Sequence, residues 1–142
     1  MFTIKSEIQF DTAHYLSHYV GKCNHLHGHR YRLIAKVSAL ELHQDGQLRG
    51  MVDDFGTLKD ALKKIHDLWD HKTLLEDNEE GRQVGESLQS VKPFDVVYVP
   101  YRPTAEEMSR HAYQMLKADG INVSEVELYE TPTNSCTYTE VN

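Results

Sequence analysis

Three histidines, one cysteine and three further titratable residues stand where they could do chemistry together. His27 and His29 form a His-x-His pair, and His14 lies upstream of them across the segment 15–26. Three imidazoles with no accompanying thiolate are the donor set of a catalytic Zn²⁺ that keeps one coordination position open for water or substrate. Taken singly, each would be an ordinary hydrogen-bonded core histidine; as a set they point to a metal. His25 lies on the same odd-numbered face and either replaces His27 as a ligand or merely lines the loop. An iron site of the cupin type also uses His-x-His, but it requires a Glu three or four residues on, where this chain has Arg32 and Leu33.

Cys23 precedes His27 by four residues and follows Lys22. A thiol beside a cation has a lowered pKa and serves as base or nucleophile; an inert loop thiol and a fourth metal ligand are the alternatives. Asp70-His71 is an adjacent carboxylate and imidazole suited to relaying protons, or else a surface cap at a helix end. Glu130 continues a buried strand face as a carboxylate and needs a partner. That partner is either a guanidine-like ring edge with two parallel donors or the amides of the following turn. Cys136 reads as packing.

Bringing these groups together requires two strands. The even positions Phe2, Ile4, Ser6, Ile8 and Phe10 alternate with Thr3, Lys5, Glu7 and Gln9, a period of two with one buried face that continues through Thr12 to His14. The odd positions Tyr31, Leu33, Ala35, Val37 and Ala39 do the same, and extend backwards through His29 and His27. An antiparallel pair sets the exit of the first beside the entry of the second, so the three imidazoles share one face.

Asp54 caps a helix with apolar Phe55, Leu58, Leu62, Ile65 and Trp69. Thr104 and Glu107 form a capping box for a second, whose stripe Ala105, Met108, Ala112, Met115 and Leu116 stops at Gly120. QDGQLRG (44–50) is a turn before a short strand at Met51-Val52, the polar, glycine-containing stretch 76–89 is a loop, and 94–100 is a short strand or extended run. Strands over 123–131 and 136–141 flank the turn TPTNS. This order predicts an α+β fold: a four-stranded antiparallel sheet (ββααββ) with two helices on one face, as a single domain over 1–142.

A chain of 142 residues suits one domain. Fifteen Lys and Arg against 22 Asp and Glu give 15 − 22 = −7, which argues against a nucleic-acid or membrane-surface binder and requires any anionic substrate to find a local basic pocket. No apolar run approaches the ~20 residues of a membrane span. MFTIKSEIQF has no signal-peptide core, which places the protein in the cytoplasm with its two cysteines as thiols.

FDTAH (10–14), CNHLHGH (23–29), MVDDFGTLK (51–59), WDHKTL (69–74), PTAEE (103–107) and YETPTNSCTY (129–138) together resemble the 6-pyruvoyl-tetrahydropterin synthase and 6-carboxytetrahydropterin synthase family, in order over nearly the whole chain. The resemblance implies the tunnelling fold, in which subunits pool their sheets into an oligomeric barrel with helices outside. It also implies a homohexamer of two trimers with active sites between subunits.

By the same resemblance His14, His27 and His29 are the zinc ligands, Cys23 the thiol base, Asp70 and His71 the relay, and Glu130 both the pterin anchor and a catalytic member of the relay. The spacing Cys-x-x-x-His-Gly-His is similar to that of the bacterial 6-carboxytetrahydropterin synthases of queuosine and other 7-deazapurine pathways. The implied activity is zinc-dependent conversion of 7,8-dihydroneopterin triphosphate to 6-carboxytetrahydropterin, acetaldehyde and triphosphate. Triphosphate elimination stopping at the pyruvoyl product, and a non-catalytic zinc or pterin binder, are the alternatives. Arg102 stands where Asn is common, and the 75–100 connection is long for the family. Lys22, Lys72 and Arg102 are the candidate phosphate contacts.

Overall fold

The two alternating segments become the centre of the sheet. A computed structural model describes residues 1–141; Asn142, the last residue of the expected domain 1–142, lies outside them. β1 (Phe2–His14) and β2 (His27–Ala39) pair antiparallel over their full length, with Phe2 opposite Ala39 and His14 opposite His27. Their inward residues Phe10, Tyr31, Leu33, Ala35 and Val37 are buried, while Thr3, Lys5, Glu7 and Gln9 on the other face are exposed.

Two helices cover the inward face. α1 (Phe55–Trp69) starts where the Asp54 carboxylate accepts the Gly56 amide, and buries Leu58, Ala61, Leu62, Ile65 and Trp69. α3 (Ala105–Ala118) starts where the Thr104 hydroxyl accepts the Glu107 amide, and buries Met108, Ala112, Tyr113 and Leu116. Only half of the expected capping box forms, because the Glu107 carboxylate takes Arg110 instead and the Thr104 amide bonds the Arg102 carbonyl. The Trp69 and Tyr31 rings sandwich Phe10, with centroids 5.7 and 5.3 Å away. Burying each such ring contributes roughly 1.5–3 kcal/mol, and the packing fixes β1 against the end of α1.

The sheet differs from the expected four antiparallel strands. It has six, in the order β4-β3-β1-β2-β5-β6. β5 (Glu125–Thr131) and β6 (Asn134–Tyr138) extend it antiparallel beyond β2. On the other side β3 (Lys72–Glu76) runs parallel to β1, and β4 (Val96–Val99) parallel to β3. Parallel strands need a long crossover, and the chain supplies one as a third helix, α2 (Glu79–Val91), where a loop was expected.

The glycines that suggested a loop are close-approach positions instead. A Cβ at Gly81 would overlap the Glu76 carbonyl oxygen, and one at Gly85 the Tyr98 hydroxyl. The Asn78 side chain caps α2 by accepting the Gly81 amide at 2.7 Å. Leu74 faces the main core, whereas Leu75 lies against Gly85, so strand alternation puts α2 on the face opposite α1 and α3. Met51-Val52 forms no strand; His43 and Gly50 close that turn through backbone bonds, and Val52 packs into the core.

Candidate metal centre and active site

The ends of β1 and β2 carry the imidazoles into one group. The ligand nitrogens of His14, His27 and His29 lie within 4.8 Å of one another. Two of the rings are oriented through their far side. His14 Nδ1 donates to the Pro103 carbonyl at 2.7 Å, and His27 Nδ1 to the His25 carbonyl at 2.7 Å, which leaves each Nε2 as the free ligand atom. His25 thus serves through its backbone; its own ring is on the exposed side and outside the group.

His29 Nε2 is buried with no hydrogen-bond partner among the described residues, a state that costs free energy unless something occupies the site. The nearest carboxylate oxygen, on Glu130, is 3.4 Å away. Burial is the main reason the His14 imidazole is pushed down to about 4; the Pro103 bond opposes this, and the two other imidazoles reinforce it. His29 moves in the same direction, chiefly by burial and against the pull of Glu130. These two rings are neutral near pH 7, as metal ligation requires. An orphaned buried nitrogen, two backbone-fixed tautomers and an all-imidazole donor set fit Zn²⁺.

Cys23 sits on a single 3-10 turn (Lys22–Asn24) and opens on the same hollow as His14 and His27. The hollow is about 200 Å³ and is completed by Leu16, Thr104, Ala105, Glu106 and Glu130. The imidazoles group without the thiol. Glu130 borders this hollow and also a second, of about 440 Å³, lined by Gln9, Arg32, Tyr129 and Thr131 among others. The turn amides that might have held its carboxylate, those of Thr133 and Asn134, bond Thr131 Oγ1 instead. Glu130 is therefore open to a ligand.

Asp70 and His71 are joined, but elsewhere. Asp70 Oδ2 accepts from His71 Nδ1 at 2.8 Å, and Oδ1 from the Asp11 amide at 3.0 Å. The Asp11 amide, and then His71, hold the Asp70 carboxyl below the usual range. His71 has a left-handed backbone, φ 58°, held by its own amide bonding the Asp11 carbonyl at 2.7 Å. Its side chain is 76% exposed and lines a hollow that Cys23 does not border, with Asp11, Ala13, His29, Arg30 and Lys72.

Of the candidate phosphate contacts, Lys72 pairs with Asp95 at 3.3 Å, Lys22 is exposed beside Cys23, and Arg102 is half-buried next to Pro103. Cys136 is half-buried on β6, 3.5 Å from the Ser109 hydroxyl. The Pro103 and His25 carbonyls that aim the ligands were not anticipated, since a backbone acceptor leaves no mark in residue type.

The family model described as 6-pyruvoyl tetrahydropterin synthase matches residues 3–141. A 6-carboxy-5,6,7,8-tetrahydropterin synthase from Haemophilus influenzae is 41% identical, over 99% of this chain and 100% of its own. One of the same name from Rickettsia felis is 31% identical, over 93% and 96%. The structure of Caenorhabditis elegans 6-pyruvoyl tetrahydropterin synthase has the same fold, with a TM-score of 0.69 over 99% of this chain and 96% of that one at 24% identity.

Proposed function

The chain belongs to the 6-pyruvoyl tetrahydropterin synthase family, and on that premise we propose that it converts 7,8-dihydroneopterin triphosphate and water to 6-carboxy-5,6,7,8-tetrahydropterin, acetaldehyde and triphosphate. This is the carbon–carbon lyase step of a queuosine or 7-deazapurine pathway. The observation that carries the reading is the convergence of His14, His27, Cys23 and Glu130 on one hollow, with His29 Nε2 left unpartnered beside Glu130.

His14, His27 and His29 would hold Zn²⁺ through Nε2. When bound, the metal supplies Lewis-acid polarisation of the substrate's side-chain oxygens. Glu130 accepts two parallel hydrogen bonds from the 2-amino and N3-H edge of the pterin, which sets the ring in register with the hollow. The Cys23 thiolate takes the proton from the side-chain carbon that faces it. Asp70 orients His71 and stabilises its protonated form, so that Nε2 can pass a proton on.

Because the His71 side chain is exposed and does not border the hollow that Cys23 borders, we assign it to the Cys23 of another copy. A homohexamer of two trimers in the tunnelling arrangement, with sites between subunits, satisfies that need. No helix among the described residues is long and apolar enough to cross a membrane. The reading places the protein in the cytoplasm, where Cys23 stays reduced.

Mass-spectrometric product analysis tests the reading, with the zinc-loaded protein, 7,8-dihydroneopterin triphosphate and a trap for aldehyde. Acetaldehyde with a carboxypterin is expected, and Cys23→Ala abolishes both while retaining zinc. Triphosphate with a pyruvoyl side chain would replace the reading by the shorter elimination. Intact substrate beside stoichiometric zinc would leave a binding protein.

A further inference from the structure

The β3-α2-β4 excursion takes no part in the chemistry above, yet two of its carboxylates end on the segment leading from the metal ligands to Cys23. The Tyr15 hydroxyl donates to Glu80, in the first turn of α2, at 3.0 Å. The Ser17 hydroxyl donates to Glu76, at the end of β3, at 2.6 Å. Both donors are buried, whereas His18 through Lys22 are exposed.

Between them, the Leu16 amide donates to the Cys23 carbonyl at 2.8 Å and closes the loop. Residues 15 and 17 are thus held by the excursion while residue 16 holds Cys23. The remaining backbone bonds of the loop, Asn24 to Gly21 and His25 to Lys22, are internal to its 3-10 turn and tie it to nothing else. On its far side, among the described residues, only the His27 Nδ1 bond to the His25 carbonyl ties it to β2, and a loop with so few anchors opens locally at low cost unless they hold. The close approach of α2 over Gly81 and Gly85 brings Glu80 within reach of Tyr15.

We propose that the β3-α2-β4 excursion is a positioning device for Cys23: the Tyr15–Glu80 and Ser17–Glu76 bonds set Leu16 so that its amide holds the Cys23 loop over the hollow lined by His14 and His27. Its catalytic consequence rests on the role proposed for Cys23, but the positioning itself does not. Tyr15, Ser17, Glu76 and Glu80 are positioning residues and touch no reacting atom.

The test uses Tyr15→Phe, Glu80→Met, their combination and Ser17→Ala in the metal-loaded protein. Alkylation of Cys23 by iodoacetamide is followed by peptide mass spectrometry, with Cys136 on β6 as internal reference. Losing a hydrogen bond to a carboxylate should speed Cys23 alkylation relative to Cys136 by roughly tenfold in each single variant. The Tyr15→Phe/Glu80→Met pair should add nothing further, since both changes remove one bond. The kcat falls only as far as the closed fraction of the loop falls, while KM, set at Glu130, holds.

Unchanged Cys23 alkylation in all variants overturns the proposal whatever happens to turnover, and so do fully additive effects in the pair. Faster alkylation upholds the positioning at any kcat, because a loop that is still mostly closed keeps its turnover. Ser17→Ala reads the same loop from the second anchor if the tyrosine variant fails to fold.

Discussion

The three-histidine group and the Asp70–His71 pair grow from the same end of β1 and are finished differently. In the first, backbone carbonyls fix two rings from behind, one ligand nitrogen is left buried and unsatisfied, and His14 and His27 line the hollow that Cys23 borders. In the second, both carboxylate oxygens of Asp70 are already engaged, and the unsatisfied capacity is the Nε2 of an exposed imidazole turned outward. One is a socket and the other a projection. Antiparallel register is enough to build the socket from a single chain, whereas the projection has a use only on a surface that another molecule brings to it.

Breaking the socket should have the largest effect. His27→Ala leaves the core untouched and should abolish retention of zinc, measured by elemental analysis, with turnover falling by more than about 10³-fold. Stoichiometric zinc in that variant would mean that the histidines are not the ligands. Cys23→Ser should cost roughly 10²–10⁴-fold in kcat with zinc retained, as expected for a lost acid–base group.

His71→Ala comes next. It should lower kcat by roughly 10²-fold with little change in zinc content, circular dichroism or thermal midpoint, because the ring is mostly exposed and its one bond among the described residues of its own chain is to Asp70. A large loss of stability instead would make the pair a structural cap.

The smallest effect is that of Asp70→Asn on folding. The folded-state pKa of Asp70 is depressed by the Asp11 amide and His71. Its stabilisation is therefore fully present above the ordinary carboxylate range and lost as pH falls through the depressed value. Denaturant midpoints of wild type and variant should differ by no more than about 1 kcal/mol at pH 7, the bond being partly solvated, and converge in acid. A gap that widens in acid would contradict the assignment.

How much of this was legible in the sequence follows from the same contrast. Face parity along two alternating strands puts His14, His27 and His29 on one side, and the register pairs His14 with His27 as that parity requires. Asp70-His71 is visible as a motif, but nothing in local pattern says which way it points; that depends on a left-handed residue after a helix end. The excursion was misread because α2 carries few apolar residues and two glycines, and its packing uses absent side chains rather than bulky ones. Asn78 ahead of Glu79, Glu80 and the Gly81 amide was the available signal, a cap and two acids in a first turn. β3 and β4 are short, and their parallel pairing becomes intelligible only once α2 is recognised as the crossover between them.

Mixing two crippled variants tests most directly whether the socket of one copy works with the projection of another. In this account Cys23→Ala is inactive and His71→Ala keeps about 1% of wild-type turnover. Allowed to exchange subunits at equal concentration, they should recover about a quarter of wild-type turnover, the fraction of intersubunit sites that draw an intact residue from each parent at random. No recovery, in assemblies shown by native mass spectrometry to contain both variants, would contradict it and return Cys23 and His71 to the same chain.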